Sequence, residues 1–598
     1  MFRPLALIGA LSLLAAQAAT QAAPVPAPAA PSDLRTVAEQ SNYLRTGRYD
    51  EVQRLCAAFA QAWPKQVRCV EFGRTPEGRP MLALVASADG TLTAAAAKAR
   101  SRPVVLAQGG IHAGEIDGKD AGFLALRELL EGRVSPGVLG RVTFVFVPVF
   151  NVDGHERVSR TNRPNQIGPE EVGWRVTSQN LNLNRDYVKA DAPEMHAMLR
   201  LLNEWDPLVY ADLHVTDGAQ FEHDVSIDVA PTLVGDEVLR QAATGLRDGL
   251  MQRLAAQGSL PLDFYPSFID DDDPASGFAV TAGPPRFSQE YWAERQRIGI
   301  LVETHSWKPY PVRVRVTHNA IVGMLDLAAA NGAAWLEAVR TADRHGAALG
   351  GTSVPLRFQA TDHVRPLEFR GYAYRREPSA ISGGLVTRYD PSTPQIWRVP
   401  LHDEVKPTVS VEAPRGGYIV PAGYVVRVAE KLALHGIESR PIGAPLARLP
   451  VQTFRATQVT LAPTTFEGHT MVTLAGAWKD EARDVPAGSL FVPIAQPRAR
   501  VLMTLLEPGS ADSLAVWGFF TAAFERKEYM EAYVAEDVAA EMLAKDPALR
   551  AAFEKRVAED PAFAKSPSAR RDFFYQRHPA WDERYNLYPI YRTGSVVP

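Results

Sequence analysis

Long apolar runs are nearly absent from this chain of 598 residues. One continuous small-and-apolar stretch, Leu5 to Ala16, stands close to the start, and it is too short for a membrane span. It follows the basic opening Met1–Phe2–Arg3 and precedes the proline-rich PVPAPAAP, with small residues at cleavage positions in Ala16-Gln17-Ala18 and Thr20-Gln21-Ala22. This is the pattern of a cleavable export signal over 1–22, followed by a stiff Pro/Ala linker over 23–32. A periplasmic or secreted protein is expected, with no membrane span after cleavage. An excess of charge of one sign is also missing. Lys and Arg number 64 against 68 Asp and Glu, and no basic stripe is interleaved with aromatics, which argues against a nucleic-acid partner. Cysteine is scarce. Cys56 and Cys69 could pair in an oxidising compartment, or could be two small buried residues flanking one helix.

The chain is too long for one hydrophobic core, so two or three domains are expected. A helical pattern spans Tyr49 to Trp63, and the strand-like VRCVEF and MLALVAS flank the turn GRTPEGRP. Strands then alternate with helices. Val104–Gly110, Val142–Phe150, Leu208–Val215 and Ile298–Ser306 read as buried strands, Ala121–Gly132 and Ala192–Trp205 as helices. The fold class that follows is α/β, a mixed and mostly buried sheet flanked by helices, over residues 33–350. Residues 351–505 carry many short strand-like runs broken by Pro and Gly, an accessory β-rich region that could bind carbohydrate or shield a site. Residues 506–598 read as mostly helical, including the run from Ser513 to Leu543, and the aromatic tail DERYNLYPIYR is expected to dock on the body.

Polar, reactive residues collect at the C-terminal ends of these strands, where open α/β sheets bind ligands. In GGIHAGEIDG, His112 and Glu115 stand three apart in a glycine-flanked turn that can aim both at one point. Imidazole and carboxylate suit zinc, and His214, closing an apolar strand in YADLHVTD, is the best third ligand. Three protein ligands leave one position open for water. An isolated HxxE, or a lone strand histidine, would mean little.

The order HxxE, NVDG, LNR, a strand-ending LH and a strand Glu resembles the zinc carboxypeptidases, from about Tyr49 to Asn331. The resemblance is to an exported bacterial-type member with a C-terminal extension. It implies one zinc ion per chain and hydrolysis of a C-terminal peptide bond by water held at the metal. Glu303 would be the general base, with burial raising its pKa. Asn184 and Arg185 would hold the free C-terminal carboxylate of a peptide substrate, a task suited to a guanidinium fork. An arginine that polarises the scissile carbonyl is also implied, and Arg175 is favoured over Arg163. Tyr291 would cap the substrate. The family's usual Asp beside the first zinc histidine is replaced by Asn182. His305 shares the side of Glu303 by strand alternation but has no implied role. The run Asp270–Asp273 is read as a solvated loop rather than a rim for cationic substrates, and His155, His196, His223 and His318 as structural or surface residues. Two competing readings are a zinc amidase or endopeptidase acting on peptidoglycan stem peptides, and a catalytically weak binding protein.

Overall fold

A computed structural model describes residues 33–216 and 218–597. The expected export signal and linker lie outside the described residues. The strands are β1 (Val67–Arg74), β2 (Pro80–Ala86), β3 (Val104–Gly109), β4 (Thr143–Val147), β5 (Val209–Thr216), β6 (Val225–Ala230), β7 (Pro261–Leu262), β8 (Phe278–Ala279) and β9 (Ile298–His305). All but β8 form one sheet in the order β1-β2-β4-β3-β5-β9-β6-β7. β4, β3, β5 and β9 run parallel, and antiparallel pairs flank them. Their side chains are buried throughout, which is why these strands read as nearly unbroken apolar runs.

The strands expected from the sequence are present with small shifts at their ends. The helix expected from Ala121 instead begins at Asp117 and runs to Leu130. Its first turn is charged but paired: Asp117 accepts from Arg313 at 2.8 Å, and Lys119 donates to Glu51 at 2.6 Å. Gly118 lets this helix sit directly on the sheet, because a Cβ there would lie 2.8 Å from Leu213 Cβ and 3.0 Å from the Gly109 backbone. Helix Tyr310–Ala347 packs on it and on Glu237–Ala256, closing this half of the chain near residue 350.

Beyond it, β11 (Arg365–Pro378) and β12 (Leu385–His402) form a long antiparallel hairpin, β10 (Ser353–Ala360) pairs antiparallel with β13 (Val405–Glu412) across it in sequence, and β12 pairs in parallel with β8. A second sheet of six strands includes Leu446–Leu461, Val472–Val485 and the tail strand Tyr591–Thr593, so the aromatic tail does dock. The helical expectation for Ser513 to Leu543 holds only from Ala532 onward. Residues 513–524 form turns and a short 3-10 helix, wrapped around the buried Leu514, Trp517 and Phe520. Their apolar content is spent on all sides rather than along one helical stripe. From Arg35 onward the described residues form one compact unit.

Cys56 and Cys69 form a disulfide that ties helix Tyr49–Ala62 to β1, resolving the two readings in favour of the bridge.

Candidate metal centre and active site

Parallel register does most of the assembly. Pairing of β5 with β9 sets His214 directly beside Glu303, and pairing of β3 with β5 sets the end of β3 beside Leu213. Gly110, with φ +61°, turns the chain out of β3 into the segment that carries His112 and Glu115. The turn is closed by the Glu115 N–H donating to the His112 carbonyl at 2.9 Å.

Ligand atoms of His112, Glu115 and His214 lie within 4.8 Å of one another, and all three residues are buried. His112 Nδ1 is 3.1 Å from Glu115 Oε1, and His214 Nδ1 is 2.9 Å from Glu115 Oε2. Tetrahedral zinc with ligand distances near 2.0–2.1 Å spaces its ligand atoms about 3.3 Å apart. The donor set therefore fits this ion with little movement. Of the donor nitrogens, His112 Nδ1 is buried without a hydrogen bond, whereas His214 Nδ1 is bonded to Glu115 and its Nε2 is the atom that lacks one.

Both imidazoles are held from behind. His112 Nε2 lies 3.1 Å from Asn182 Oδ1, and His214 Nε2 lies 2.8 Å from Asp212 Oδ2. The two Nδ1 atoms are thus left to face the centre, an arrangement that fixes ring orientation at metal sites. Asn182 fills the place of the missing Asp. Asp212, which sequence reasoning passed over, stands two residues before His214 on the same strand face, so period-two alternation could have found it.

Burial lowers the His112 pKa to about 4, with Glu115 pulling the other way. At His214, burial also opposes charge, but Asp212 and Glu303 outweigh it and hold the imidazole above its ordinary value. Burial disfavours the Glu115 carboxylate too, yet His112 and Arg163 keep it well below the usual range. Burial pushes Glu303 up to about 8, opposed by His214 and reinforced by Glu115 and Asp212.

A cavity of about 300 Å³ opens beside the centre, lined by His112, Arg175, Asn184, Arg185, Tyr265, Phe287 and Glu303 among others. The two candidate arginines part company here. Arg163 is nearly buried, donating to Glu115 at 2.7 Å and to the Val215 carbonyl at 3.0 Å. Arg175 touches Glu115 at 3.3 Å but leaves 41% of its side chain exposed, facing the cavity. Arg185 lies 4.5 Å over the Phe287 ring and donates to the Asn184 carbonyl at 2.7 Å. No carboxylate among the described residues forms an ion pair with it. Asn184 is buried and accepts from the Ser288 N–H at 3.3 Å.

Tyr291 is not brought to the cavity. Its ring is buried against Tyr187, and its hydroxyl pairs with His435 Nδ1 at 2.7 Å, so the capping role expected of it has no geometric support. A partner 144 residues away claimed that hydroxyl, which no local pattern announces. Tyr265 stands in the cavity instead, its hydroxyl 3.3 Å from Thr216 Oγ1. It occupies an irregular stretch between β7 and β8 that carries no periodic signal. His305 stacks on Phe221 with ring centroids 3.9 Å apart and takes no part in the centre. Asp273 pairs with Arg376 and caps Pro274–Ser276, so the aspartate run is a loop contact. His155, His196, His223 and His318 bond to Glu156, the Ala190 carbonyl, the Leu260 carbonyl and Glu128, as structural residues do.

The C-terminal half buttresses the site. Glu467 accepts the Asn182 backbone N–H at 2.8 Å, and Asp512 pairs with Arg286 at 2.8 Å at the edge of the Phe287 segment.

Residues 52–252 match the sequence profile of the zinc carboxypeptidase family. Among solved structures, a metallo-carboxypeptidase from Burkholderia cenocepacia is 18% identical, covering 46% of this chain and 69% of its own, with a TM-score of 0.34. The carboxypeptidase A from Helicoverpa armigera is 16% identical over 48% and 74%, with a TM-score of 0.35. A metallo-carboxypeptidase from Pseudomonas aeruginosa is 13% identical over 49% and 69%, also at 0.35. No curated protein matches the chain.

Proposed function

We propose that this protein, whose residues 52–252 match the zinc carboxypeptidase profile, is an exported zinc metallocarboxypeptidase that removes residues from the free C-terminus of peptides. The observation that carries the reading is one cavity lined by His112 of the His-Glu-His donor set, by the buried carboxyl of Glu303 and by Arg185, which forms no ion pair with a carboxylate among the described residues. The disulfide suits an oxidising compartment, and no helix among the described residues is long and apolar enough to cross a membrane.

His112, Glu115 and His214 would hold the zinc. When bound, the ion supplies Lewis acidity, polarising a carbonyl and making nearby water easier to deprotonate. Glu303 takes a proton from the attacking water on one of its carboxylate oxygens and returns it to the leaving amine. For that it must be ionised at the start, and a dication near it favours the carboxylate, countering the burial that raises its pKa in the protein alone. Arg185 binds the substrate carboxylate in the cavity, and Asn184 shapes the turn that presents it. Arg175, exposed on the cavity side, is placed to stabilise negative charge developing on the scissile oxygen.

A Glu303→Gln variant tests the division of roles. It should retain metal and fold while losing at least about a thousandfold in turnover, the scale of general acid–base catalysis. Near-normal turnover in that variant would overturn the assignment.

A further inference from the structure

The turn that carries Asn182, Asn184 and Arg185 is held by a part of the chain outside the residues that match the family profile. Strands Leu446–Leu461 and Val472–Val485 form a long hairpin whose tip is residues 466–469. There the Phe466 N–H donates to the His469 carbonyl at 2.8 Å, and the His469 N–H donates back to the Phe466 carbonyl at 3.0 Å. The two residues between them, Glu467 and Gly468, have φ of +49° and +79°. Two-residue turns with both central φ positive are normally filled by Asn-Gly, Asp-Gly or Gly-Gly. A glutamate in the first place adopts the left-handed region at a cost that glycine avoids. The hairpin itself gains nothing in return, because the Glu467 side chain makes no hydrogen bond within it.

That side chain reaches into the site instead. Glu467 Oε2 accepts the Asn182 N–H at 2.8 Å, a charge-assisted bond of the stronger kind. From Asn182 the contacts continue inward: its Oδ1 accepts the Asn184 N–H at 3.0 Å and stands 3.1 Å from His112 Nε2. Asn184 Oδ1 accepts the Ser288 N–H at 3.3 Å, which ties the turn to the segment whose Phe287 ring lies under Arg185. Arg286, next in that segment, donates its N–H to Asp512 Oδ2 at 2.8 Å. Both backbone segments that flank the Arg185 guanidinium are therefore anchored on carboxylates of the C-terminal half. The hairpin tip is fixed in turn, since His469 Nε2 lies 2.7 Å from Asp191 Oδ2, just past the Arg185 turn. Glu467 also acts on Arg185 through space without forming an ion pair. Burial, then Arg175 and Arg286, disfavour the positive guanidinium, and Glu467 favours it.

Resting on the carboxypeptidase reading, we propose that Glu467 is a positioning residue for substrate binding, the carboxylate by which the C-terminal half holds the Asn182–Arg185 turn in the geometry that receives the substrate's carboxylate. It acts through Asn182 and Arg185 and touches neither the reacting bond nor the donor set. The C-terminal half is thereby a working part of the binding site.

The test compares matched free-acid and amide peptides on the full chain with substitutions at this one position. Glu467→Gly suits the positive φ better than glutamate does but loses the bond to Asn182. The relieved backbone should offset the lost bond in stability, leaving the melting temperature within about 2 °C of the wild type. The acid-to-amide ratio in kcat/KM should nevertheless fall about tenfold, the scale of one hydrogen bond to a charged group, with the loss carried mainly by the KM of the acid. Glu467→Gln keeps an acceptor oxygen at the same reach and should hold the ratio within about threefold of the wild type. Should Glu467→Gly fail to fold, Glu467→Asn provides the second reading: asparagine suits the turn, is one methylene too short for the bond, and should show the same loss. An unchanged ratio in the glycine and asparagine variants would overturn the proposal. So would a clearly lower melting temperature with acid and amide slowed alike, the mark of an ordinary structural defect. A ratio that rises in Glu467→Gly would overturn it too, by showing that Glu467 competes with the substrate for Arg185. All three outcomes leave the carboxypeptidase reading intact. Equal rates on acid and amide in the wild type would overturn that reading and this proposal with it.

Discussion

Amidating the C-terminus of a substrate removes the charge that the proposed function assigns to Arg185. The guanidinium is half-buried, stacked on Phe287 and bonded to the Asn184 carbonyl, with no carboxylate among the described residues in ion-pair contact. Burial and the neighbouring Arg175 already disfavour its positive charge, so an arriving carboxylate relieves a real cost. Hydrogen bonds to charged groups contribute roughly 1.5–3 kcal/mol each, and a bidentate pair adds geometric selectivity. An amide offers one neutral oxygen in place of two anionic ones, and its N–H groups meet a donor-only fork. Taking about 2.7 kcal/mol as the difference, free-acid peptides should be cleaved about a hundredfold faster than their amides. The assay is kcat/KM on matched acid and amide peptides with mass readout of the released residue. Arg185→Ala should slow the acid strongly and bring the ratio toward one. Arg175→Ala should slow both peptides and leave the ratio nearly intact, because its partner is the scissile oxygen. Equal wild-type rates on acid and amide would refute the reasoning about Arg185 and favour an amidase or endopeptidase. A ratio abolished by Arg175→Ala but not by Arg185→Ala would show that the two roles had been exchanged.

Two further outcomes concern the scaffold. The Cys56–Cys69 bridge spans 13 residues, which in the chain-entropy account contributes about 3 kcal/mol. Replacing both with alanine should lower stability to urea by that order, and an unchanged midpoint would refute it. Glu194 is buried, and burial raises its pKa from 4.5 to about 7. The folded state therefore holds this proton more tightly than the unfolded chain. No penalty applies below about pH 4.5, one grows between there and pH 7, and it levels off above, at no more than about 3 kcal/mol. Glu194→Gln should raise the melting temperature at pH 8 and leave it nearly unchanged at pH 4. A gain of the same size at both would contradict the assignment.

What the sequence disclosed follows from how far each interaction reaches. Buried parallel strands announce themselves as apolar runs, and His112 and Glu115 lie in one turn. The central sheet and the donor set were accordingly legible. The strand-ending position of His214 put it in the right crevice, and register with Glu303 completed the pair. Asp212 was overlooked although strand alternation points to it. Tyr291 misled because its hydroxyl is taken by His435, a residue of the C-terminal half that no short-range pattern connects to it. Tyr265 was missed because it sits on a stretch without periodicity. The same limit hid the contact of Glu467 with Asn182, made across 285 positions of sequence. Helix signals failed over 513–524 because a segment buried on several sides lacks the one-sided stripe that marks a surface helix.

The central claim is that His112, Glu115 and His214 form the zinc site. Metal analysis of the purified chain, after dialysis against micromolar zinc, tests it most directly. The expectation is about one zinc per chain in the wild type and none retained when His112 and His214 are both alanine, since a single carboxylate cannot hold the ion alone. Full zinc occupancy in the doubly substituted protein would contradict the claim.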